Sequence, residues 1–157
     1  MLIRFYNVTK VYPSGATGLV SVNTAIRKGE FLFLVGPSGA GKTTFLKLLT
    51  REIVSTRGQV LLNGRNITRL RPGEVPYLRR MVRMIFQDYK LLPNKTVYDN
   101  VAFALMVTEK PRRRIRPLAN EALKLVGLES KAEAYPDELS GGEQQRVSIA
   151  RAIVGDP

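Results

Sequence analysis

The chain has 157 residues, 44% of them hydrophobic and 24% charged, enough for one globular domain with a sizeable core and too apolar for a disordered segment. It contains no cysteine and no histidine, so disulfides, thiolate nucleophiles, histidine-based metal centres and Ser/His/Asp triads are excluded by inventory. A formal charge of +12 points to an acidic surface as partner, either nucleic acid or an anionic membrane face, and composition does not choose between them.

No apolar run approaches the roughly 18 residues of a membrane-spanning helix, and the N-terminus lacks the zones of a secretory signal. The expectation is a soluble chain that stays where it is made. Residues 2–8 and 19–26 alternate loosely around a turn at Tyr12-Pro13-Ser14-Gly15 and Gly18, which predicts an antiparallel hairpin. Phe31-Leu32-Phe33-Leu34-Val35 is a continuous apolar run ending at Gly36, the pattern of a strand buried on both faces of a sheet. A helix is predicted from Lys42, with Phe45, Leu46, Leu48 and Leu49 facing inward. Val60-Leu61-Leu62-Asn63-Gly64 predicts a short strand and turn, and Met84-Ile85-Phe86 a further apolar strand ending at Gln87. Strands alternating with helices indicate the α/β class.

Between about residue 90 and residue 138 the strand signals vanish. Pro117 followed by Leu118, Ala122, Leu125 and Val126 has helical spacing closed by Gly127, so this region is predicted to be a helical insert. The basic run Lys110, Arg112, Arg113, Arg114 and Arg116, flanked by Pro111 and Pro117, is predicted to be a solvated loop within it. There is no internal repeat and no low-complexity segment.

Gly36-Pro37-Ser38-Gly39-Ala40-Gly41-Lys42-Thr43 fits G-x-x-x-x-G-K-[ST], and it lies between a predicted strand and a predicted helix, the context this phosphate-binding pattern requires. Glycines at 36, 39 and 41 let the backbone fold around an anion so that successive N–H groups point at phosphate oxygens, with the dipole of the following helix behind them. Lys42 supplies a full charge to the outer phosphates, and Thr43 offers a hydroxyl to Mg²⁺. The loop names neither the base nor the reaction. Asn94-Lys95-Thr96-Val97 begins like a guanine-reading N-K-x-D but carries Val97 where an aspartate must accept from the base, which argues against a GTPase. Tyr12 is an aromatic candidate for stacking on adenine and is equally read as ordinary packing.

Ser140-x-x-Glu143 ahead of Val147, Ala150 and Val154 is a capping box on a helix. Gly141 and Gly142 directly inside it cost about 1 kcal/mol each relative to alanine, yet they bare N–H groups and allow an anion to approach closely. A helix start of this composition suits a phosphate.

With these residues in place, Leu139-Ser140-Gly141-Gly142-Glu143 resembles the signature of the ATP-binding-cassette (ABC) ATPases. Gly36 to Thr43, continued by Thr44, is similar to the Walker A loop of that family, and Gln87 in Ile85-Phe86-Gln87-Asp88 to its Q-loop glutamine. The resemblance implies an α/β P-loop NTPase core of the ABC ATPase kind, a parallel sheet flanked by helices, with an N-terminal antiparallel β subdomain and an inserted helical subdomain. Residues 1–88 would carry the β subdomain and P-loop core, 89–139 the helical subdomain, and 140–157 the signature helix. ATP and Mg²⁺ are the implied cofactors. Tyr12 would stack on adenine. Thr43 and Gln87 would contact Mg²⁺, and Gln87 also the attacking water, as the catalytic residue. Ser140 and Gly142, with Gly141 and Glu143 completing their segment, would bind the γ-phosphate held by a second copy of the chain in a head-to-tail ATP sandwich. The segment after Gln87 would receive the coupling helix of a membrane partner.

Glu74-Val75-Pro76-Tyr77-Leu78-Arg79-Arg80, Leu91-Leu92-Pro93 and Thr96-Val97-Tyr98-Asp99-Asn100-Val101-Ala102-Phe103 are most similar to the branch of the family that serves bacterial cell division. Its ATPases pair with an FtsX-like integral membrane protein at the inner face of the membrane, where the basic charge would meet anionic lipid. Lipoprotein-release and macrolide-export ATPases share many of these residues and are the alternative. Nucleic acid is not expected as a partner, because no binding motif accompanies Arg79, Arg80, Arg83 and the run at 110–116.

An ABC ATPase also needs an apolar strand ending in Asp-Glu, whose carboxylates orient Mg²⁺ and polarise water, and a switch histidine. The 157 residues contain neither, and Ile153-Val154 runs into Gly155-Asp156-Pro157 instead. The resemblance places that strand past Pro157, beside the one that feeds the phosphate loop. The expectation is therefore a truncated chain with an incomplete sheet, weak ATP binding and turnover near background. A non-hydrolysing ATP-binding module is the reading that takes those features as native.

Overall fold

The computed structural model describes residues 2–155, which form two compact units divided between Val82 and Arg83. The first is built on a hairpin of β1 (Ile3–Val11) and β2 (Thr17–Ile26), closed by a turn in which Tyr12 N–H donates to the Ala16 carbonyl at 2.8 Å. With β3 (Arg57–Leu62) and β4 (Arg65–Asn66) these strands form a sheet of order β2-β1-β3-β4, antiparallel throughout.

The loose alternation of the first strand has a local cause. Phe5 and Val8 are both buried although three positions apart, because the pairing slips between them. Asn7 takes φ 46° at the slip and is bonded to Asn23 through its backbone N–H at 3.0 Å and its side-chain oxygen at 2.7 Å. Gly58 faces the same irregularity, and a Cβ there would meet the carbonyl oxygens of Tyr6 and Asn7 at 2.4 and 2.3 Å.

α1 (Lys42–Leu49) lies on this sheet, with the rings of Phe45 and Phe5 stacked 4.3 Å apart. Phe45, Leu48 and Leu49 are buried with Val60, Leu62, Ile67, Leu70 and Leu78, the last from α2 (Val75–Met81). Leu46, expected inward, is exposed: an inner face of 45, 48 and 49 leaves position 46 about 100° round the helix. The turn at Asn63-Gly64 and the strand before it form as expected, with β3 longer than its apolar part.

Two expected strands are absent. Phe31–Val35 and Met84–Phe86 have extended sequences but no strand partners among the described residues, and no parallel pair forms there. Phe31, Phe33 and Val35 are 82%, 76% and 84% exposed, the two rings meeting edge to face at 4.9 Å. A strand written for burial on both faces needs neighbours for its N–H and C=O groups, and none of the described residues supplies them.

The second unit packs α3 (Val97–Val107), α4 (Arg112–Leu125) and α5 (Gly141–Ile153) around Val97, Val101, Leu105, Ala119, Leu123 and Val147. Asn100, wholly buried in α3, accepts from Leu92 N–H at 2.7 Å and donates to the carbonyls of Leu92, Lys95 and Thr96, fixing the loop that leads into the helix. α4 starts five residues before Pro117, so Arg112, Arg113, Arg114 and Arg116 occupy its first turns and not a loop. Its inner face, Ile115, Ala119, Ala122 and Leu123, carries it through the proline. Gly127 ends it at φ 68°: its N–H donates to Lys124, and Leu128 N–H donates to Leu123 at 2.9 Å while the Leu128 side chain is buried.

Candidate functional site

Gly36 to Thr44 runs from the exposed apolar segment into the first turn of α1. Gly39 and Gly41 have φ 82° and 87°, which other L residues rarely adopt, and Gly41 sits at the N-cap with no side chain capping the helix. The first N–H groups of α1 therefore face outward behind a glycine turn, an arrangement that suits an anion. Lys42 Nζ folds back over the loop and donates to the carbonyls of Gly36 at 2.6 Å and Pro37 at 2.7 Å. That leaves a third N–H of the ammonium and places a full charge on the loop's outer side.

The loop is held against the hairpin by contacts that only glycine permits. A Cβ on Gly41 would lie 2.1 Å from the Gly18 carbonyl oxygen, and a Cβ on Gly18 would lie 2.8 Å from Thr44 Oγ1 and 2.9 Å from the Tyr12 ring. Tyr12 and Thr44 share a hydroxyl–hydroxyl hydrogen bond of 2.9 Å. Thr44 is buried, while its neighbour Thr43 presents its side chain to solvent. The Lys10 ammonium stands 5.4 Å from the Tyr12 ring centre. Tyr12, Gly18, Gly41 and Thr44 thus form one node that fixes the phosphate loop to the sheet. The donor set of this loop suits a Mg²⁺-bound polyphosphate: open backbone N–H groups, one ammonium and the hydroxyls of exposed Ser38 and Thr43.

In the second unit Ser140 caps α5, and the expected box is in place. Ser140 N–H and Oγ donate to Glu143 Oε2 at 2.9 and 2.8 Å, and Glu143 N–H donates back to Ser140 Oγ at 3.4 Å. Lys131 lies 2.7 Å from the same carboxylate. Its hydrogen bond, then those from Ser140, hold the Glu143 carboxyl well below the ordinary carboxylate range, at about 2. A carboxyl lowered in the fold contributes its hold above the ordinary value of 4.5 and loses it as pH falls towards 2. Gly141 and Gly142 are exposed at the start of the helix, and Gln144 Nε2 donates to the carbonyls of Pro136 at 2.9 Å and Leu139 at 3.2 Å, fixing the approach to it.

Gln87 and Asp88 form an exposed turn, closed by Tyr89 N–H donating to the Phe86 carbonyl at 3.2 Å. Beside it Asp88 pairs with Lys90 at 2.7 Å, and that hydrogen bond lowers the pKa of the Asp88 carboxyl. Arg151, from the last turn of α5, donates from its two terminal nitrogens to the carbonyls of Tyr89 and Lys90, both at 2.6 Å.

The first unit thus brings together Tyr12, the loop Gly36–Lys42, Thr43 and Thr44, and the second carries Gln87 in its exposed turn and Ser140, Gly141, Gly142 and Glu143 at the start of α5. Sequence reasoning missed Gly18, Lys131 and Arg151. A glycine at the edge of an alternating run is a sign of close backbone approach, whereas the turn pattern at Tyr12–Gly15 claims Gly18 for the turn. Nothing local marks Lys131 or Arg151, whose partners are 12 and 61–62 positions away. Among the described residues no helix is long and apolar enough to cross a membrane, and no three Asp or Glu residues are grouped to hold a metal ion.

The ABC transporter family profile matches residues 19–157. The cell division ATP-binding protein FtsE of Streptococcus pneumoniae is 49% identical over 156 residues, covering 99% of this chain and 68% of that protein. FtsE of Mycobacterium tuberculosis is 51% identical over 158 residues, and FtsE of Escherichia coli 48% over 156, with 69% and 70% of those proteins covered. Two solved structures of the ATP-binding cassette MJ0796, both dimeric and one bound to ADP and Pi, are similar at TM-scores of 0.89 and 0.87, with 36% identity, 97% of this chain covered and 69% of theirs.

Proposed function

Because the chain belongs to the ABC transporter family of ATP-binding cassettes, we propose that it is the ATP-binding subunit of a cell-division ABC complex, acting on the inner face of the membrane with an FtsX-like integral membrane protein. The single observation that carries the reading is the phosphate loop: an uncapped α1 N-terminus behind Gly39 and Gly41, with the Lys42 ammonium folded over it and Tyr12 pinned beside it through Thr44. The FtsE relatives, 48% to 51% identical, support the choice of branch.

In this reading residues 1–88 are the β subdomain and phosphate-binding core, 89–139 the helical subdomain and 140–157 the signature segment. The N–H groups of Gly39 to Thr43 and Lys42 Nζ hold the β- and γ-phosphates, and the Tyr12 ring takes the adenine. Thr43 and Gln87 are the residues that would hold Mg²⁺, which supplies charge neutralisation on the transferring phosphoryl group. Gln87 also orients water. The uncapped N–H groups of Gly141 and Gly142, with Ser140 and Glu143 setting their geometry, serve the ATP held by a second copy of the chain. Binding of Mg-ATP and association with a second copy are the activities proposed for these residues.

Titration of the chain with Mg-ATP tests this. Lys42→Ala should weaken binding about thirtyfold or more, as expected for loss of a charge-assisted contact of 2–3 kcal/mol. Binding that is absent in the parent, or undiminished in the variant, would overturn the assignment.

A further inference from the structure

Tyr89 and Lys90 are consecutive non-glycine residues with φ 57° and 48°. L residues rarely occupy that region singly, and two in succession persist only where surrounding structure holds them. Two neighbours in the same helix-like region point their carbonyls the same way, and a planar guanidinium fork is the side chain that matches two parallel acceptors. Arg151 is that fork, half-buried, with both bonds at 2.6 Å. The side chain of Tyr89 reaches the other end of the same helix: its hydroxyl lies 3.3 Å from where a Cβ on Gly141 would stand. Arg151 and Gly141 are ten positions apart on α5, about 15 Å along the axis. Tyr89 is therefore held at its backbone by the end of α5 and lies with its ring tip at the beginning, one residue from Ser140 and two from Gln87.

We propose that Arg151 is a positioning residue that locks the Gln87 turn to α5, so that the water-orienting turn and the signature end of the helix move as one piece. What those two segments do rests on the ABC reading above; the link itself rests on the geometry. A movement imposed on the turn by a docked partner would then be passed directly to the Gly141-Gly142 end, and occupation of that end would be felt at Gln87. Lysine cannot replace the arginine fully, since a single ammonium on a flexible stem does not span two carbonyls in fixed geometry.

The experiment uses the full 157-residue chain with Arg151→Met and Arg151→Lys. Limited trypsin digestion reads cleavage after Lys90 against cleavage after Lys131, a site in the same unit that reports general loosening. Arg151→Met should raise the Lys90 rate relative to Lys131 about tenfold, with Arg151→Lys in between, because local opening sets the rate of cutting. In parallel, Mg-ATP affinity should stay within about twofold of the parent while Mg-ATP-dependent self-association weakens. Lys90 and Lys131 rising together would reduce Arg151 to a structural residue and overturn the proposal, as would selective release of Lys90 with self-association unchanged. If Arg151→Met does not fold, Arg151→Lys carries the same comparison. Failure of the ABC reading is seen separately, as ATP binding that ignores Lys42→Ala, and leaves the proteolysis result in force for the link.

Discussion

Ser148 lies on the inner side of α5, 1% exposed, and its hydroxyl has no hydrogen-bond partner among the described residues. A buried hydroxyl without a partner carries its full desolvation cost, and serine is a poorer helix former than alanine. Ser148→Ala should raise stability by about 1 kcal/mol in urea unfolding; a loss of stability would mean that the hydroxyl does make a bond in solution. Other single residues divide by how far away their reason lies. Lys42, Thr43 and the glycines of the phosphate loop were legible because eight consecutive residues carry the pattern. Gly18 was not, because what forbids a side chain there is Thr44 and Tyr12, which the fold brings to it. Thr44 reads in the chain as one more threonine after the lysine. In the structure it is the buried anchor of Tyr12, which separates its role from that of exposed Thr43.

At the scale of elements, α4 shows a conflict between charge and dipole. Its first turns hold Arg112, Arg113, Arg114 and Arg116, no acidic residue and no side-chain cap, where the positive end of the helix disfavours cations. Arg113→Glu should therefore stabilise the protein by about 0.5–1 kcal/mol at low salt, with the gain shrinking as salt screens it. Equal stability of the two proteins at low ionic strength would show that the helix end is already neutralised. Proline favours the first helical position, so the sequence predicts a helix start at Pro117 and a loop for the basic run before it. α4 instead begins earlier, since Ile115 and Ala119 extend the same buried stripe backwards through Pro117. The stop at Gly127 was legible, because the left-handed residue a helix end requires is written locally as glycine. Phe31–Val35 was legible as an apolar strand by composition, yet a strand exists only when something pairs with it.

At the scale of all the described residues, that segment, exposed and without a strand partner among them, predicts association of the 157-residue chain. A contiguous apolar run with unpaired backbone groups invites another copy to cover it. Light scattering at rising protein concentration should show association that Phe31→Lys with Phe33→Glu abolishes, and a parent that stays monomeric throughout would contradict this. The charge of +12 also reads differently in three dimensions. Arg51 donates to the Ile67 and Leu70 carbonyls, Arg79 to Thr50 and Arg51, and Arg151 to Tyr89 and Lys90. Those guanidiniums tie main chain together and are not free to serve a polyanion. The sequence by itself determined the family, the glycine-rich loop pattern and the capped helix start at Ser140, because each is carried by adjacent residues whose chemistry acts locally. Only the tertiary structure decided which glycines touch, which strands pair, that Tyr12 is pinned by Thr44 and that Arg151 grips the Gln87 turn. Those facts depend on residues far apart in the chain, and no local pattern encodes a partner that folding must first bring near.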